Sequence, residues 1–531
     1  MKRSLTLCLS AAASLFAAAC SGGGGSSVGP PPPNNGFSNN NLSGQYAFSM
    51  SGTAVDQTTG TQAPYARVGS FIADGKGDIT GGVEDVNLNL VSGGSNELDI
   101  NNGSYTINAD GRGTLTLNDS TGALSFSISL SSSTNGYIVD FPSNGLSTAS
   151  GNFVLQTANA FNLSAFSGNY VFDFSGVDPS QNPESIVGQI SASLANGVGV
   201  FSGIADDNDG GTVNGGNAGG ATISGSFNTS SPNPSDLTSF GRGEFSIGGV
   251  SGVYYIVGPN QVKFMEETSG GTLAGDAFAQ SNVTAGISGP FVYVMGGSTV
   301  STSGGGPLAR GGKFSASGGN LSNIIVDTNN AGQQQSLPSS GGSGTGTYTL
   351  DTTTGRGTTT FTLQGASVAF NYVFYMVSPT QAFVQEQTAG PNGAVVEDGS
   401  MYAQGSGTIS ASSLAGNYAL NWSGEAILNG GNAIGEEDVI GETTVSSGAA
   451  LSGIVDINEN ATLAEASNVS LTGMLTLGSD PTSHNALTFN LETNPAGQVT
   501  AFAYLAANNN ILFMTTESNR IAAGVMTLQA P

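Results

Sequence analysis

Apolar and small or polar side chains alternate along much of the chain in short runs, which predicts β-strands. After Gly44, the apolar residues Tyr46, Phe48 and Met50 alternate with small residues. The same alternation recurs in three later stretches, at Tyr170/Phe172/Phe174, Phe291/Tyr293/Met295 and Tyr418/Leu420/Trp422. A period of two with one apolar face is typical of a strand that covers a core. Gly-rich segments such as ADGKGD at 73–78 separate the runs and predict hairpin turns.

Four sequence anchors recur in the same order. They are an opening glycine (Gly44, Gly168, Gly289, Gly416), an Asp-x-Asn (Asp85/Asn87, Asp206/Asn208, Asp327/Asn329, Asp456/Asn458), a Gly-Arg-Gly (Arg112, Arg242, Arg356) and a closing glutamine (Gln156, Gln280, Gln404, Gln529). The closing glutamines are 124, 124 and 125 residues apart. A unit of this length is a domain rather than one rung of a solenoid.

The sequence therefore predicts an all-β protein of four tandem antiparallel β domains. We expect the repeats at 42–157, 163–281, 286–405 and 412–530. The first unit reads as about eight strands with short turns, which favours an up-and-down barrel because an even strand count brings the last strand beside the first. A β-sandwich made from the same strands is the alternative.

The N-terminus has the pattern of an export signal. MKR is followed by a short apolar stretch that ends in small residues, so residues 1–19 are predicted to be a signal peptide. Cys20 follows directly, and this ending resembles the lipobox of bacterial lipoproteins, although Ala17 stands where the family usually has Leu. The resemblance implies a lipidated Cys20, a flexible Gly/Ser/Pro tether at 20–41 and an outer-membrane lipoprotein on the periplasmic or surface side; the alternative is plain secretion.

Composition limits the partners and the bonds available to the fold. The only other cysteine, Cys8, lies in the predicted signal, so the mature chain has no internal disulfide partner. Charged residues make up 9% of the chain and the net charge is −26. So acidic a surface repels phosphate backbones, which argues against a nucleic-acid partner.

The repeat resembles known sequences in two ways. The pattern from Gly69 to Gly77, followed by Asp-x-Asn and by Gly-Arg-Gly-Thr-x-Thr-Leu at 111–117, is similar to repeats in uncharacterised secreted proteins of acidobacteria. That resemblance implies no known activity. The Gly-x-Tyr opening is also similar to the Gly-x-Trp that opens calycin barrels, but Trp422 lies four positions past Tyr418, which occupies the matching place.

The repeated charged residues are interpreted as structural. Aligning SHNALTF at 483–489 with GRGTLTL places His484, the only histidine, on the arginine position. We expect Arg112, Arg242, Arg356 and His484 to supply a donor at a structural turn. Their natural partner is the repeated aspartate at Asp85, Asp206, Asp327 and Asp456, and we expect the pair to form within each unit.

Two further readings concern oxygen-rich segments. Asp206 and Asn208 begin a stretch similar to a calcium loop, although Asn217 stands where such a loop has a glutamate. Turns between strands use the same residue types. The acidic residues at Glu266-Glu267, Glu386 and Glu436-Glu437-Asp438 could supply paired carboxylates for glycoside hydrolysis, but they do not recur in repeat register.

The sequence favours a protein without enzymatic activity or a required cofactor. The first reading is a membrane-anchored surface protein whose repeats have a structural or adhesive role or face a polysaccharide or another protein. The second reading is a set of small-ligand-binding barrels similar to lipocalins, and a secreted hydrolase is the third. Filled barrels would favour the first reading, and an open apolar pocket would favour the second.

Overall fold

The computed structural model describes residues 35–531 except for 56–61, 89–94, 143–145, 216–218, 301–304, 339–343, 367–368, 388–393, 406–408, 429–432, 461–463, 479–483, 493–496 and 508–509. These described residues belong to one compact unit. The predicted signal peptide, Cys20 and most of the predicted tether lie outside them.

The strands form four successive groups. Barrel 1 contains β1 (Ser43–Val55), β2 (Gln62–Asp74), β3 (Asp78–Leu88), β4 (Ser95–Ile100), β5 (Asn102–Ile107), β6 (Arg112–Asn118), β7 (Ala123–Leu130), β8 (Asn135–Asp140) and β9 (Ser147–Leu155). Barrel 2 contains β10 (Gly168–Val177), β11 (Pro183–Ala195), β12 (Val198–Asp209), β13 (Thr212–Asn214), β14 (Ala221–Thr229), β15 (Arg242–Ile247), β16 (Val250–Gly258), β17 (Gln261–Glu266) and β18 (Ala274–Ala279).

The second half of the chain repeats this arrangement. Barrel 3 contains β19 (Gly289–Val300), β20 (Gly306–Ser317), β21 (Asn320–Asn330), β22 (Gln333–Leu337), β23 (Gly344–Leu350), β24 (Arg356–Thr362), β25 (Phe370–Ser378), β26 (Gln381–Glu386) and β27 (Ala394–Ala403). Barrel 4 contains β28 (Gly416–Leu428), β29 (Ala433–Val445), β30 (Ala450–Glu459), β31 (Ala464–Thr476), β32 (Asn485–Leu491), β33 (Gln498–Leu505), β34 (Asn510–Thr515) and β35 (Arg520–Leu528).

Each group closes into an eight-stranded antiparallel barrel. Successive strands pair with each other, and the first strand pairs with the last, as β1 does with β9 and β28 with β35. In barrels 1 to 3 the fourth strand is divided into two pieces that both pair with the third strand; in barrel 4 it is the continuous strand β31. The predicted up-and-down barrel is confirmed, and the sandwich alternative is wrong.

Helical structure is minor in the described part of the chain. There is one short α-helix, α1 (Ser235–Phe240), beside short 3₁₀ turns at Asn39–Asn41, Ala158–Ala160, Val283–Ala285 and Ala411–Ser413. None of the described helices is long and apolar enough to span a membrane.

Alternate side chains of the long strands point into each barrel and form its core. In barrel 2 the ring of Phe166, which precedes β10, contacts Tyr170, Phe201 and Phe227. In barrel 4 Trp422 stacks on Phe489, with 5.6 Å between ring centroids. Fully burying one such side chain contributes about 1.5–3 kcal/mol, which these cores need because no disulfide braces them.

The outward faces of the barrels join them to one another. Val68 and Val83 of barrel 1 pack with Val253 and Met265 of barrel 2. Similar apolar clusters join barrel 2 to barrel 3, at Val187 and Val373 among others, and barrel 3 to barrel 4, at Val292 and Leu512 among others. The contact of barrel 4 with barrel 1 is more polar: Thr148 donates to Asp438 at 2.7 Å and Ser129 donates to the carbonyl of Gly441 at 2.7 Å.

Candidate functional site

The repeated aspartates and arginines meet between neighbouring barrels. Arg242 of barrel 2 binds Asp85 of barrel 1 through two bonds, of 2.8 Å from Nε and 2.6 Å from Nη2. The hydroxyl of Tyr255 donates to the same carboxylate at 2.6 Å. The expectation that Asp85 pairs with Arg112 of its own unit is therefore wrong. The sequence order of the anchors does not reveal which copy supplies the partner.

The next joint repeats this geometry one barrel further on. Arg356 of barrel 3 binds Asp206 of barrel 2 at 2.6 Å and 2.8 Å, and Tyr375 donates to Asp206 at 2.7 Å. Asn208 donates to the carbonyls of Glu386 and Val395. Both carboxylate oxygens of Asp206 are thus occupied by barrel 3, and a cation there would have to displace the guanidinium of Arg356.

At the third joint a histidine stands in place of the arginine. His484 Nε2 lies 2.8 Å from Asp327 Oδ1, and Tyr504 donates to Asp327 at 2.7 Å. The imidazole also stacks on Phe502, with 4.5 Å between ring centroids. His484 thus takes at this joint the place that Arg242 and Arg356 have at the first two.

The fourth joint closes a ring, because barrel 4 contacts barrel 1 through the same positions. Asp456 lies 3.9 Å from Arg112 Nη1, a longer contact than at the other joints. Arg112 instead binds its neighbour Asp110 at 3.0 Å and Asn468 at 3.1 Å. The place of the tyrosine is taken by Ser129. One contact type that repeats head to tail and returns to its start makes a closed ring.

The asparagine and glutamine anchors support the same ring. The side-chain amides of Asn87, Asn208, Asn329 and Asn458 each donate to backbone carbonyls of the neighbouring barrel. Gln156, Gln280 and Gln529 do likewise, Gln529 reaching back to Asp110 and Leu130 of barrel 1. The repeated phrase of the sequence therefore encodes the joints as well as the barrels.

Barrel 2 holds a cavity of about 330 Å³ at one end. Its floor is apolar and includes Phe172, Phe174, Ile186, Ile223 and Val250. A volume of this size lies at the lower end of the range for small-molecule sites, about 300–1,000 Å³, and an apolar floor with a few polar groups is their usual lining.

Three acidic side chains, Glu184, Asp207 and Glu266, line this cavity where β11 begins and where β12 and β17 end, and we call this end of the cavity its mouth. Burial, reinforced by the neighbouring negative charges of Asp207 and Asp209, raises the pKa of Glu184 to about 8. Burial also raises the pKa values of Asp207 and Glu266. Glu266 is only 4% exposed and accepts a bond from the backbone N–H of Leu273. The mouth is therefore acidic and its floor is apolar.

The other three barrels place a buried arginine beside the acids at the corresponding end. Arg67 of barrel 1 lies 2.6 Å from Glu84. Arg310 of barrel 3 pairs with Glu386 and with Glu397, the latter at 2.8 Å. In barrel 4, Arg520 binds Glu437 at 2.6 Å and 2.9 Å. Among the described ion pairs, none includes Glu184 or Glu266.

A second cavity, of about 350 Å³, lies where barrels 2, 3 and 4 meet. Its lining includes the repeated glycines Gly176, Gly297 and Gly424 together with Glu425 and Glu436. Burial raises the pKa of Glu425 to about 7 and that of Glu436 well above its usual value. Unlike the cavity in barrel 2, its described lining contains no aromatic side chain.

The carboxylates considered for glycoside hydrolysis do not converge on one site. Glu266 and Glu386 end the same strand in different barrels, whereas Asp438 lies against Thr148 at the closing joint. The prediction that these acids do not recur in register is wrong for Glu266 and Glu386. Glu266 and Glu386 pair across the sheet with Gly252 and Tyr372, each of which lies three residues before a joint tyrosine.

Sequence reasoning missed the cavity residues Glu184, Ile186 and Asp207. Their signal is visible only once strand register is known. Gly69, Gly188, Gly312 and Gly441 then occupy one repeat position, and the residues two positions before them are Arg67, Ile186, Arg310 and Val439. The glycine is required where a ring approaches closely: a Cβ at Gly188 would lie 2.6 Å from Phe172.

Comparisons with known proteins do not assign the chain to a family. No family model matches the chain, and no curated protein matches it. Among solved structures, a variant of transferrin binding protein B from Haemophilus parasuis Hp5 has a TM-score of 0.20 and 8% identity, covering 74% of this chain and 81% of that one. Intact Ap-TbpB, with its N and C lobes, has a TM-score of 0.18 and 10% identity, covering 74% and 83%. Likenesses this low carry no argument about the function of this chain.

Proposed function

We propose that this protein is an exported, non-enzymatic binding protein that takes up a small ligand in its second barrel. The observation that carries the proposal is the cavity of about 330 Å³ with an apolar floor and an acidic mouth. The other barrels and the joints serve as the frame that holds this barrel. Of the three readings that the sequence leaves open, the cavity in barrel 2 favours the ligand-binding one.

The frame supports binding because it holds the mouth in place. Asn87 of barrel 1 donates to the backbone carbonyls of Glu266 and Gly271, both at 2.8 Å. These carbonyls belong to the loop that carries part of the cavity wall. A site whose backbone is fixed by a neighbouring domain loses less conformational entropy when the ligand binds.

Attachment to a membrane remains part of the proposal. It rests on the lipobox-like ending at Cys20 and on the flexible composition of residues 21–41. In this account the tether suspends the ring from an outer membrane, and the alternative is release as a secreted protein. A surface structural role is the second candidate, because the closed ring would be a rigid module for display.

Ligand uptake is tested with phenylnaphthylamine, a fluorophore that is uncharged at neutral pH and brightens in apolar sites. We expect one saturable site on the mature protein. Ile223→Trp places a large ring in the cavity and should abolish binding of the fluorophore. Val198→Trp, at a position that is 46% exposed on the same barrel, should leave that binding unchanged. Absence of a saturable site, or equal binding by both variants, would contradict the proposed function.

Anchoring is tested separately by intact mass and membrane fractionation of the protein made in a bacterial host, beside Cys20→Ala. A diacylated or triacylated N-terminus and release of the variant would support a lipoprotein. An unmodified soluble mature chain would favour the secreted alternative and would leave the ligand site unaffected.

A further inference from the structure

We infer that the cavity of barrel 2 takes an organic ammonium ion, a ligand with an apolar body and a protonated amine. The inference rests on the proposed function and specifies the chemistry of its ligand. The apolar body would occupy the floor, and the amine would lie at the mouth between Glu184 and Glu266. In the sister barrels, the chain supplies that positive charge itself.

Ile186 occupies the position that an arginine fills in barrels 1 and 3. Strand pairing sets Ile186 opposite Phe174, Arg67 opposite Met50 and Arg310 opposite Met295. Each of these three partners lies six residues after the opening glycine of its unit. The register is therefore the same in all three barrels, and barrel 2 has an isoleucine where the others have an internal cation.

The acids that accompany those cations are retained in barrel 2. Glu266 is the register equivalent of Glu386, which pairs with Arg310. Glu184 stands opposite Gly176 as Glu437 stands opposite Gly424, and Glu437 binds Arg520 at 2.6 Å. Barrel 2 thus combines acids of two sister barrels without either arginine.

No basic side chain of barrel 2 is available to replace them. Residues 163–281 contain two basic residues, Arg242 and Lys263. Arg242 binds Asp85, and Lys263 lies within hydrogen-bond distance of Ser49 and Asn152 of barrel 1. Both are therefore committed to the joint between barrels 1 and 2, and neither lines the cavity.

Electrostatics then favours an incoming cation over a neutral ligand. A half-buried carboxylate without a partner has lost part of its hydration and gains a charge-assisted hydrogen bond when an ammonium group arrives. An arriving ammonium ion favours the ionised form of Glu184 and lowers its raised pKa, whereas an anionic ligand would meet only acidic groups. The apolar floor argues against a bare metal ion, and the described residues contain no group of three or more His, Cys, Asp or Glu side chains placed to hold one.

The test uses three ligands that share one apolar body: phenylbutylamine, phenylbutanol and phenylbutyrate. Each is titrated calorimetrically into the mature protein at neutral pH. We expect the amine to bind about tenfold or more tightly than the alcohol, and phenylbutyrate to bind weakest. Glu184→Gln and Glu266→Gln are nearly isosteric substitutions, and each should lower the affinity for phenylbutylamine toward that for phenylbutanol. Glu492→Gln, an exposed acid of barrel 4, makes the same charge change away from the cavity and should leave the selectivity intact.

The outcomes separate this inference from the proposed function. Equal binding of amine and alcohol, or selectivity that survives both glutamine variants, would overturn the inference while leaving a ligand site in place. Failure of all three ligands, together with failure of the uncharged fluorophore, would overturn the proposed function itself. Loss of selectivity in Glu492→Gln as well would show a general charge effect and would also overturn the inference.

Discussion

Barrels 2 and 3 are built on one plan and differ at their mouths. Each binds an aspartate of the preceding barrel through an arginine and a tyrosine. These are Arg242 and Tyr255 in barrel 2, and Arg356 and Tyr375 in barrel 3. At the mouth, barrel 3 holds Arg310 against its acids, and barrel 2 has Ile186 instead. The joint is constant while the interior varies.

The difference shows how a repeated structural domain can acquire a site. In barrel 3 the chain itself supplies a cation at the mouth: Arg310 is buried, lies 2.8 Å from Glu397 and lies 5.1 Å from the ring centre of Phe370. Replacing such an arginine by an apolar residue removes both volume and charge. What remains is a cavity bordered by acidic side chains that have no cationic partner among the described ion pairs.

The largest effect is expected from removing the internal cation of barrel 3. Arg310→Met removes the buried cation that pairs with Glu386 and Glu397, which should lower the free energy of unfolding by about 3–5 kcal/mol. Ile186→Met at the equivalent place in barrel 2 conserves volume and should cost less than about 1.5 kcal/mol. Chemical denaturation followed by circular dichroism measures both, and equal costs for the two variants would break the comparison.

A middle-sized effect is expected at the shared joints. Tyr255→Phe and Tyr375→Phe each remove one hydrogen bond to a carboxylate, of 2.6 Å and 2.7 Å. Each should cost about 1.5–3 kcal/mol, since bonds to charged groups are in this range. Because the two joints are alike, the two costs should agree. A large difference between the stability costs of the two variants would mean that barrels 2 and 3 differ at the joint as well as at the mouth.

The third effect is a pH dependence that belongs to barrel 2, and it is screened by solvent because Glu184 is only partly buried. The groups facing Glu184 are Asp207 and Asp209 of β12, Glu266 of β17 and Asp178 of the loop before β11, all acidic. Its pKa of about 8 lies above the usual value near 4.3, so between these values the folded state binds more protons than the unfolded one. Stability should therefore fall as the pH rises through this window.

The control for this prediction is Glu184→Gln, which removes the titrating group and should flatten that part of the stability profile. Thermal melts at pH 5, 6, 7 and 8 of the two proteins provide the measurement. A wild-type profile that rises with pH, or one unchanged by the substitution, would contradict the assignment of the slope to Glu184.

Strand alternation and repeat spacing were sufficient to predict the barrels, because burial of one strand face and a constant unit length are properties of the sequence itself. The pairing of charges was not predictable in this way. Asp85 is 27 residues from Arg112 and 157 from Arg242, and only the ring geometry brings it to the second. Sequence order favours the nearer partner, and the fold selects the farther one.

The cavity was harder to predict because it depends on a residue that is ordinary by itself. Ile186 in a strand gives no functional signal. It becomes informative only when strand register aligns it with Arg67 and Arg310, and the differing hairpin lengths between the opening glycine and this position hide that alignment in the sequence. Repeats should therefore be compared by register before their differences are interpreted.

The most direct test of the account restores the missing cation. Ile186→Arg places in barrel 2 the side chain that Arg67 and Arg310 provide in their barrels, and Ile186→Met serves as the control. We expect that phenylbutylamine does not bind to Ile186→Arg and binds to Ile186→Met with near wild-type affinity. Circular dichroism should show that both variants are folded. Retained amine binding by Ile186→Arg would contradict the claim that the ligand replaces an internal arginine.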